Sequence, residues 1–263
     1  MTVQDFDGFL HNLDPQARGD NSPDGLKWGD PTMPVRAVGT TWMASMAVLE
    51  QAAAKAINLI VAHEPTFWYH GTPANPELEL CRRHEVDLSF KTSFLEEHGI
   101  AILRAHNCWD GYPVYGIEAC LRAQLELPDP VSTLSSFFHL YEVQPTTLGA
   151  LAQHCKTKMG MPAVRFCGDP EKAVERLVMA FGASSSAAQY YRFWREGVDV
   201  VITGEQCEWA DIRPAHDLGL GVIELGHSNT EAAGMEGLAR LLREHFPGLP
   251  IEHLPTGDSF RYA

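Results

Sequence analysis

Basic residues are scarce. Lys and Arg number 20 against 34 Asp and Glu, a formal net charge of −14 with neutral histidines. No nucleic-acid partner is therefore expected, because counterion release needs clustered Lys and Arg. Long apolar runs are missing too: none approaches the roughly 18 residues that span a bilayer, so no membrane contact is expected. The opening MTVQDFDGFLHNLDPQ carries acids where a secretory signal has a basic segment and an apolar run. The six cysteines, Cys81, Cys108, Cys120, Cys155, Cys167 and Cys207, form no CxxC pair and no framework spacing. They read as reduced thiols of a cytoplasmic protein. GxxxxGK[ST], GxGxxG and GxSxG do not occur. A P-loop, a dinucleotide fingerprint and a nucleophile elbow thus have no support.

What is present is a chain of 263 residues, 45% hydrophobic, with 12 histidines. That length builds one large domain or two small ones, each with a real core. Residues 14 to 34, rich in Pro, Gly, Asp and Asn, read as an irregular entry segment. Strand-like runs and helical stretches then alternate. Strands are expected at 35–41, 58–62, 100–105, 174–181, 198–203 and 221–225. Helices are expected at 43–56, at 184–195, at 210–218, at 230–245, and in a stretch ending near His98 with Gly99 as its C-cap. Two further strands, 137–143 and 163–167, would flank a helix at 146–159. Buried strands alternating with helices indicate an α/β fold with mixed, largely parallel sheets.

The chain also reads as an internal duplication. Residues 36–65 resemble 176–206 in the order strand, small-residue turn, helix, strand, which sets His63-Glu64 opposite Gly204-Glu205. Downstream, 98–110 parallels 217–231, pairing His106 and Asp110 with His227 and Glu231. Two α/β halves follow, 1–130 and 131–263, packed together with a metal site between them.

The His-x-x-x-acid spacing carries no information alone. Twelve histidines among 34 acids in 263 residues give one or two such pairs by chance, and there are two. Position supplies what spacing lacks, since α/β sheets bind ligands outside the carboxyl ends of their strands. His63, Glu64, His106, Glu205 and His227 all follow strand ends. Taken singly, each has a plain alternative: a capped strand-end histidine, an acid before Pro65, or Glu231 as a first-turn acid on a helix. Together they make an imidazole and carboxylate set suited to zinc, iron, manganese, nickel or cobalt. The set is too large for one tetrahedral ion and suits two. Trp42, Phe67, Trp68, Trp109, Tyr112 and Tyr115 lie near these loops, as pocket walls or as core. Cys108 and Cys207 sit among the candidates and read as inert thiols, with soft ligands or reactive thiols as the alternative.

LIVAHEPTFW (59–68), AHNCWD (105–110), DVVITGE (199–205), GVIELGHSNTE (221–231) and DGLKWG (24–29) together resemble the Nif-three-like family of dinuclear-metal-centre hexameric proteins. Its members are often catalogued as type 2 GTP cyclohydrolase I-like. The resemblance implies two metal ions on His63, Glu64, Asp110, His227 and Glu231, with His106 beside them as a proton-handling or outer residue. It also implies a homo-hexamer with the metal sites facing an internal cavity. Three features depart from the family pattern. Many members have His-His where this chain has His63-Glu64, which exchanges a nitrogen donor for oxygen. Many have histidines where Gln206-Cys207-Glu208-Trp209 stands. Between Leu125 and Ser184 there is no room for the large domain that some members insert. The expected activity is metal-dependent hydrolysis of a small molecule or nucleotide-like substrate, with His106 or Glu205 as general acid or base. The alternative is a metal-handling or chaperone-like protein without turnover.

Overall fold

The computed structural model describes every residue except Arg18, Asp20, Ser136, Phe137, Ser184, Ser185, Asp258, Tyr262 and Ala263. The chain divides into two compact units, Met1–Gly116 with Gly234–Gly257, and Ile117–Ala233 with Asp258–Ala263. The first unit thus takes in a C-terminal segment of the chain as well as the N-terminal one.

In the first unit the elements run α1 (Val3–Leu13), β1 (Gly25–Trp28), β2 (Val38–Met43), α2 (Met46–Ala54), β3 (Leu59–Glu64), α3 (Glu77–Arg83), α4 (Ser89–His98), β4 (Ala101–Arg104) and α5 (Asn107–Asp110). The second unit holds α6 (Ile117–Gln124), β5 (Ser132–Ser135), β6 (Phe138–Thr147), α7 (Leu148–Lys158), β7 (Arg165–Cys167), β8 (Ala173–Ala180), α8 (Ala187–Arg195), β9 (Val200–Thr203), a π-helical turn (Glu208–Ile212), α9 (Arg213–Asp217) and β10 (Gly221–Glu224). Helix α10 (His227–His245) starts in the second unit, and β11 (Ile251–His253) lies in the first.

The first sheet has the order β1-β4-β3-β2-β11, parallel except for β1. Strand β3 (LIVAHE) is buried at every position, as expected of a central parallel strand. Helix α2 begins at Ser45, whose hydroxyl accepts from the Val48 amide, and buries Val48, Leu49 and Ala52. Helix α4 ends where expected, at Gly99 in the left-handed conformation with φ 59°. The buried Asn58 side chain accepts from the Arg36 and Ala37 amides and donates to the Pro34 carbonyl, tying the entry of β2 to that of β3.

The second sheet has the order β5-β6-β8-β9-β10-β7. Only β8, β9 and β10 pair in parallel, so this sheet is more antiparallel than expected. Its core gathers Phe138, Leu140, Val178, Tyr190, Phe193 and Val201. The first residues of two expected elements, the strand at 137 and the helix at 184, lie outside the described residues. Three other expectations change. Strand β1 occupies part of the segment 14–34, whose composition predicts irregular chain. The helix expected at 230 begins at His227. The helix expected at 210–218 is preceded and partly replaced by the π-helical turn. Among the described residues no helix is long and apolar enough to cross a membrane.

The duplication is visible in strand register. Thr41 pairs with Ala62 across β2 and β3, and Ala180 with Thr203 across β8 and β9. Matching the two registers sets His63 against Gly204 and Glu64 against Glu205. The downstream match shifts by one residue. Arg104 is the partner of Ala62, and Glu224 of Thr203, so His106 corresponds to Gly226 and not to His227. The backbone bonds agree: Asp110 N–H donates to the His106 carbonyl as Thr230 N–H donates to that of Gly226, both at 3.1 Å.

Candidate metal centre

Parallel pairing of β3 with β4 brings their carboxyl ends to one level. His63 and Glu64 close β3, while His106 caps the short α5 that carries Asp110. The His63 Nδ1 lies 2.9 Å from the Ala105 carbonyl, which can only accept. Nδ1 therefore carries a hydrogen, and Nε2 is the ring nitrogen turned toward the site. That Nε2 stands 3.4 Å from Asp110 Oδ1. The His106 ring stacks on that of His63, with centroids 4.4 Å apart at an interplanar angle of 9°. Its Nε2 is 3.4 Å from Glu64 Oε1 and its Nδ1 3.4 Å from Asp110 Oδ2. Burial lowers the affinity of His106 for a proton, but the carboxylates of Asp110 and Glu64 outweigh it and raise its pKa to about 9 against the opposing Arg104.

Three residues that sequence reasoning did not place in the site support it. Asp24 accepts from the backbone N–H groups of both His106 and Cys108, and so holds the first turn of α5. Its signal was present, because Asp24 opens the DGLKWG segment. Arg104, fully buried, donates through Nε to the His63 carbonyl at 2.8 Å, and its Nη2 lies 3.6 Å from Glu64 Oε2. His70 places Nε2 at 3.2 Å from Glu64 Oε2. It sits alone in a turn-rich stretch, where no periodicity marks it.

The donors assemble into ion-sized groups. One ligand atom each from His63, His106 and Asp110 lie within 4.8 Å of one another, and the same holds for Glu64, His70 and His106. No thiol belongs to either group; Cys108 is buried and Cys207 exposed. Phe67 and Trp109 are fully buried core residues, while Trp68 is exposed.

The second unit holds its own cluster. His227, first residue of α10, has Nδ1 at 3.4 Å from Glu205 Oε1 and Nε2 at 3.3 Å from Glu231 Oε2, one turn further on. Gly182 makes room for them. A Cβ on it would lie 2.2 Å from Glu231 Oε1 and 2.9 Å from His227 Nε2, and its φ of 61° also favours glycine. A Cβ on Gly204 would likewise stand 2.3 Å from the Gly182 carbonyl oxygen. A cavity of about 840 Å³ opens beside His227 and Glu205, lined also by Met161, Leu225, Phe260 and Arg261.

Residues 1–257 match the family model described as DUF34/NIF3 (NGG1p interacting factor 3). The chain belongs to this family. NIF3 relatives include a GTP cyclohydrolase 1 type 2 homolog of Allochromatium vinosum, 25% identical over 89% of this chain and 88% of that protein. One of the same name from Escherichia coli K12 is 29% identical over 89% of each. Among solved structures, the hypothetical protein SA1388 of Staphylococcus aureus superimposes with a TM-score of 0.79 at 21% identity, covering 100% of this chain and 99% of its own. A Bacillus cereus protein related to NIF3 gives 0.79 at 15% identity with the same coverage. The NIF3 fold thus accounts for the whole α/β architecture.

Proposed function

We propose that the chain is a dinuclear metal-dependent hydrolase of a small, nucleotide-like or cyclic amide substrate, working as a cytoplasmic homo-hexamer. The observation that carries this reading is the convergence of His63, His106 and Asp110, three donors of the right chemistry within ion-sized distance at the carboxyl ends of two parallel strands. Glu64 adds a hard oxygen donor, and His227 and Glu231 supply the donors of the second unit. Zinc, iron, manganese, nickel and cobalt all accept such a mixture. When bound, two such ions lower the pKa of a coordinated water and make hydroxide available near neutral pH.

The protein's own groups divide the remaining work. His63 is oriented by the Ala105 carbonyl, so its Nε2 faces the site. Asp110 is held on a turn fastened by Asp24. Glu205, beside the proposed ligand His227, is an acid or base candidate, and His106, beside Glu64, takes that role only while its Nε2 is not given to an ion. The adjoining cavity sets apolar side chains beside Arg165 and Arg261 and the carboxylates Glu205, Asp211 and Glu224, a mixed lining that suits a small substrate with both apolar and polar parts.

Metal analysis of protein purified without chelator tests the reading. Two ions per chain, reduced in His227→Ala, are expected; fewer than one ion, unchanged by that substitution, sinks the dinuclear reading. Phosphodiester, cyclic amide and nucleotide substrates, GTP among them because of the relatives' name, then test turnover. Asp110→Ala should lower the rate by orders of magnitude with the fold intact. Metal handling is the second reading, favoured by the exposure of His70 beside Glu64. It predicts no turnover and transfer of ions to an apo-protein.

A further inference from the structure

We propose that Arg104 is a positioning residue of the candidate metal centre. Together with His70 it holds one oxygen of Glu64, so that the other is the oxygen Glu64 presents to an ion. This rests on the metal-binding reading above and goes beyond it, because a guanidinium carries no acceptor and cannot itself be a ligand.

A guanidinium is an unexpected group at the end of β4. All four residues of that strand are buried, and Arg104 is only 1% exposed. A charge in such a place is costly unless acceptors meet its N–H groups and an opposite charge lies close. Arg104 divides its fork among several partners. Its Nε donates to the His63 carbonyl at 2.8 Å, and its Nη1 lies 3.6 Å from Glu77 Oε1. Its Nη2 lies 3.6 Å from Glu64 Oε2 and 3.3 and 3.4 Å from the two ring nitrogens of His70. The His63 carbonyl and Glu77 are enough to anchor the side chain within the fold. The third arm is the one that reaches the site. It makes one guanidinium a link between the main chain of one candidate ligand and the side chain of the next.

Glu77 also fixes the loop that carries His70. Its Oε2 accepts from the Phe67 N–H at 2.9 Å, and a Cβ on Gly71 would stand 2.4 Å from the Glu77 nitrogen. His70 is thus held with Nε2 at 3.2 Å from Glu64 Oε2, although its side chain is 59% exposed.

The two oxygens of Glu64 are thereby made unequal. Oε2 faces Arg104 and His70, while Oε1 lies 3.4 Å from His106 Nε2. Like charges repel strongly in a buried setting, so the guanidinium closes the Oε2 side to a cation. On the Oε1 side an ion meets imidazole and carboxylate donors instead. A ligating carboxylate tied down through its other oxygen is a one-oxygen ligand whose direction is set before the ion arrives. A lysine would supply the charge without the fork that makes these contacts at once.

The test compares the whole chain as wild type, Arg104→Lys and His70→Ala by competition titration with Zn(II) and by the visible spectrum of the Co(II)-loaded protein. Circular dichroism and thermal unfolding read the fold alongside. Arg104→Lys should weaken the ion held by Glu64 by about tenfold to a hundredfold, the scale on which groups behind a ligand act. It should also lower the Co(II) band intensity, since a released carboxylate chelates through both oxygens and raises the coordination number. His70→Ala should move the bands the same way, by less, with the ion count unchanged. A merely structural Arg104 would lower Tm and leave the bands in place. Wild-type affinity and bands in folded Arg104→Lys therefore overturn the inference while the metal reading stands. If that variant does not fold, His70→Ala decides: wild-type bands, or loss of a whole ion, overturn it too. If the wild type takes up no ion, both fall.

Discussion

Gly182 shows how narrowly single residues are chosen here. Its hydrogen leaves the space into which Glu231 and His227 project, and a methyl group would stand 2.2 Å from Glu231 Oε1. Gly182→Ala should therefore cost about 1–3 kcal/mol of stability from backbone strain and displaced neighbours. It should also lower ion occupancy of the His227–Glu231 pair; thermal denaturation and metal analysis of one preparation read both. Lys91 makes a different kind of prediction. Burial pushes its ammonium from the usual 10.5 down to about 8 despite the partly compensating Glu77. The unfolded chain therefore binds this proton more tightly than the native one. Below pH 8 both states are protonated and the native state bears the full penalty of a buried charge. Between pH 8 and 10.5 the penalty is relieved, so stability should rise with pH through that window relative to Lys91→Met. The expected difference is on the order of 3 kcal/mol, read by urea unfolding across the range. No relative change would refute it. Among the thiols, Cys155 is buried with its pKa pushed up to about 12, while Cys207 is exposed. A thiol reagent at pH 8 should find one fast site, abolished in Cys207→Ser.

At the scale of elements, four-residue α5 is too short to hold itself together, and Asp24 does so from outside. Asp24→Ala should cost about 1–2 kcal/mol and free the turn that positions Asp110, weakening metal binding more than Ser22→Ala does. Calorimetry and competition titration check the two effects. This scale also shows what was legible. Strands β3 and β4 announce themselves as unbroken apolar runs because both faces of a central strand are covered. Helix α1 announces itself too, through buried Val3, Phe6 and Leu10 at helical spacing and the Thr2–Asp5 capping box, but a reading of that segment for its charge passes over the period. Strand β1 is hidden for a physical reason. It is an edge strand of four residues between glycines, held by pairing with β4, a partner remote in sequence. His70 is hidden likewise. Its place depends on Gly71 meeting Glu77, which no local spacing encodes.

For the whole molecule, the net charge of −14 matters beyond partner choice. Acids concentrated with histidines repel one another in the metal-free state, so divalent ions should raise Tm in a concentration-dependent way through binding to the native state alone. A chelator should lower it, and added monovalent salt should not replace the ions. Scanning calorimetry distinguishes these. A homo-hexamer of this 29.1 kDa chain should elute in light-scattering chromatography at about six times that mass. The placing of His63, Glu64, His106, Glu205 and His227 at or just past strand ends was legible because both copies of the repeat share one order of elements. The one-residue slip between His106 and His227 was not, since sequence matching aligns histidine with histidine, whereas backbone pairing aligns His106 with Gly226.

Gly226 closes a route of change. Its φ of 89° is a conformation that a residue bearing a side chain rarely adopts. A histidine cannot readily be transplanted there to make the second copy imitate the first. The two copies have accordingly specialised in a way point substitution does not reverse: one presents its imidazole from the cap ahead of a short helix, the other from the helix itself. Swapping the corresponding segments whole, instead of exchanging single residues, is the engineering experiment that respects this constraint.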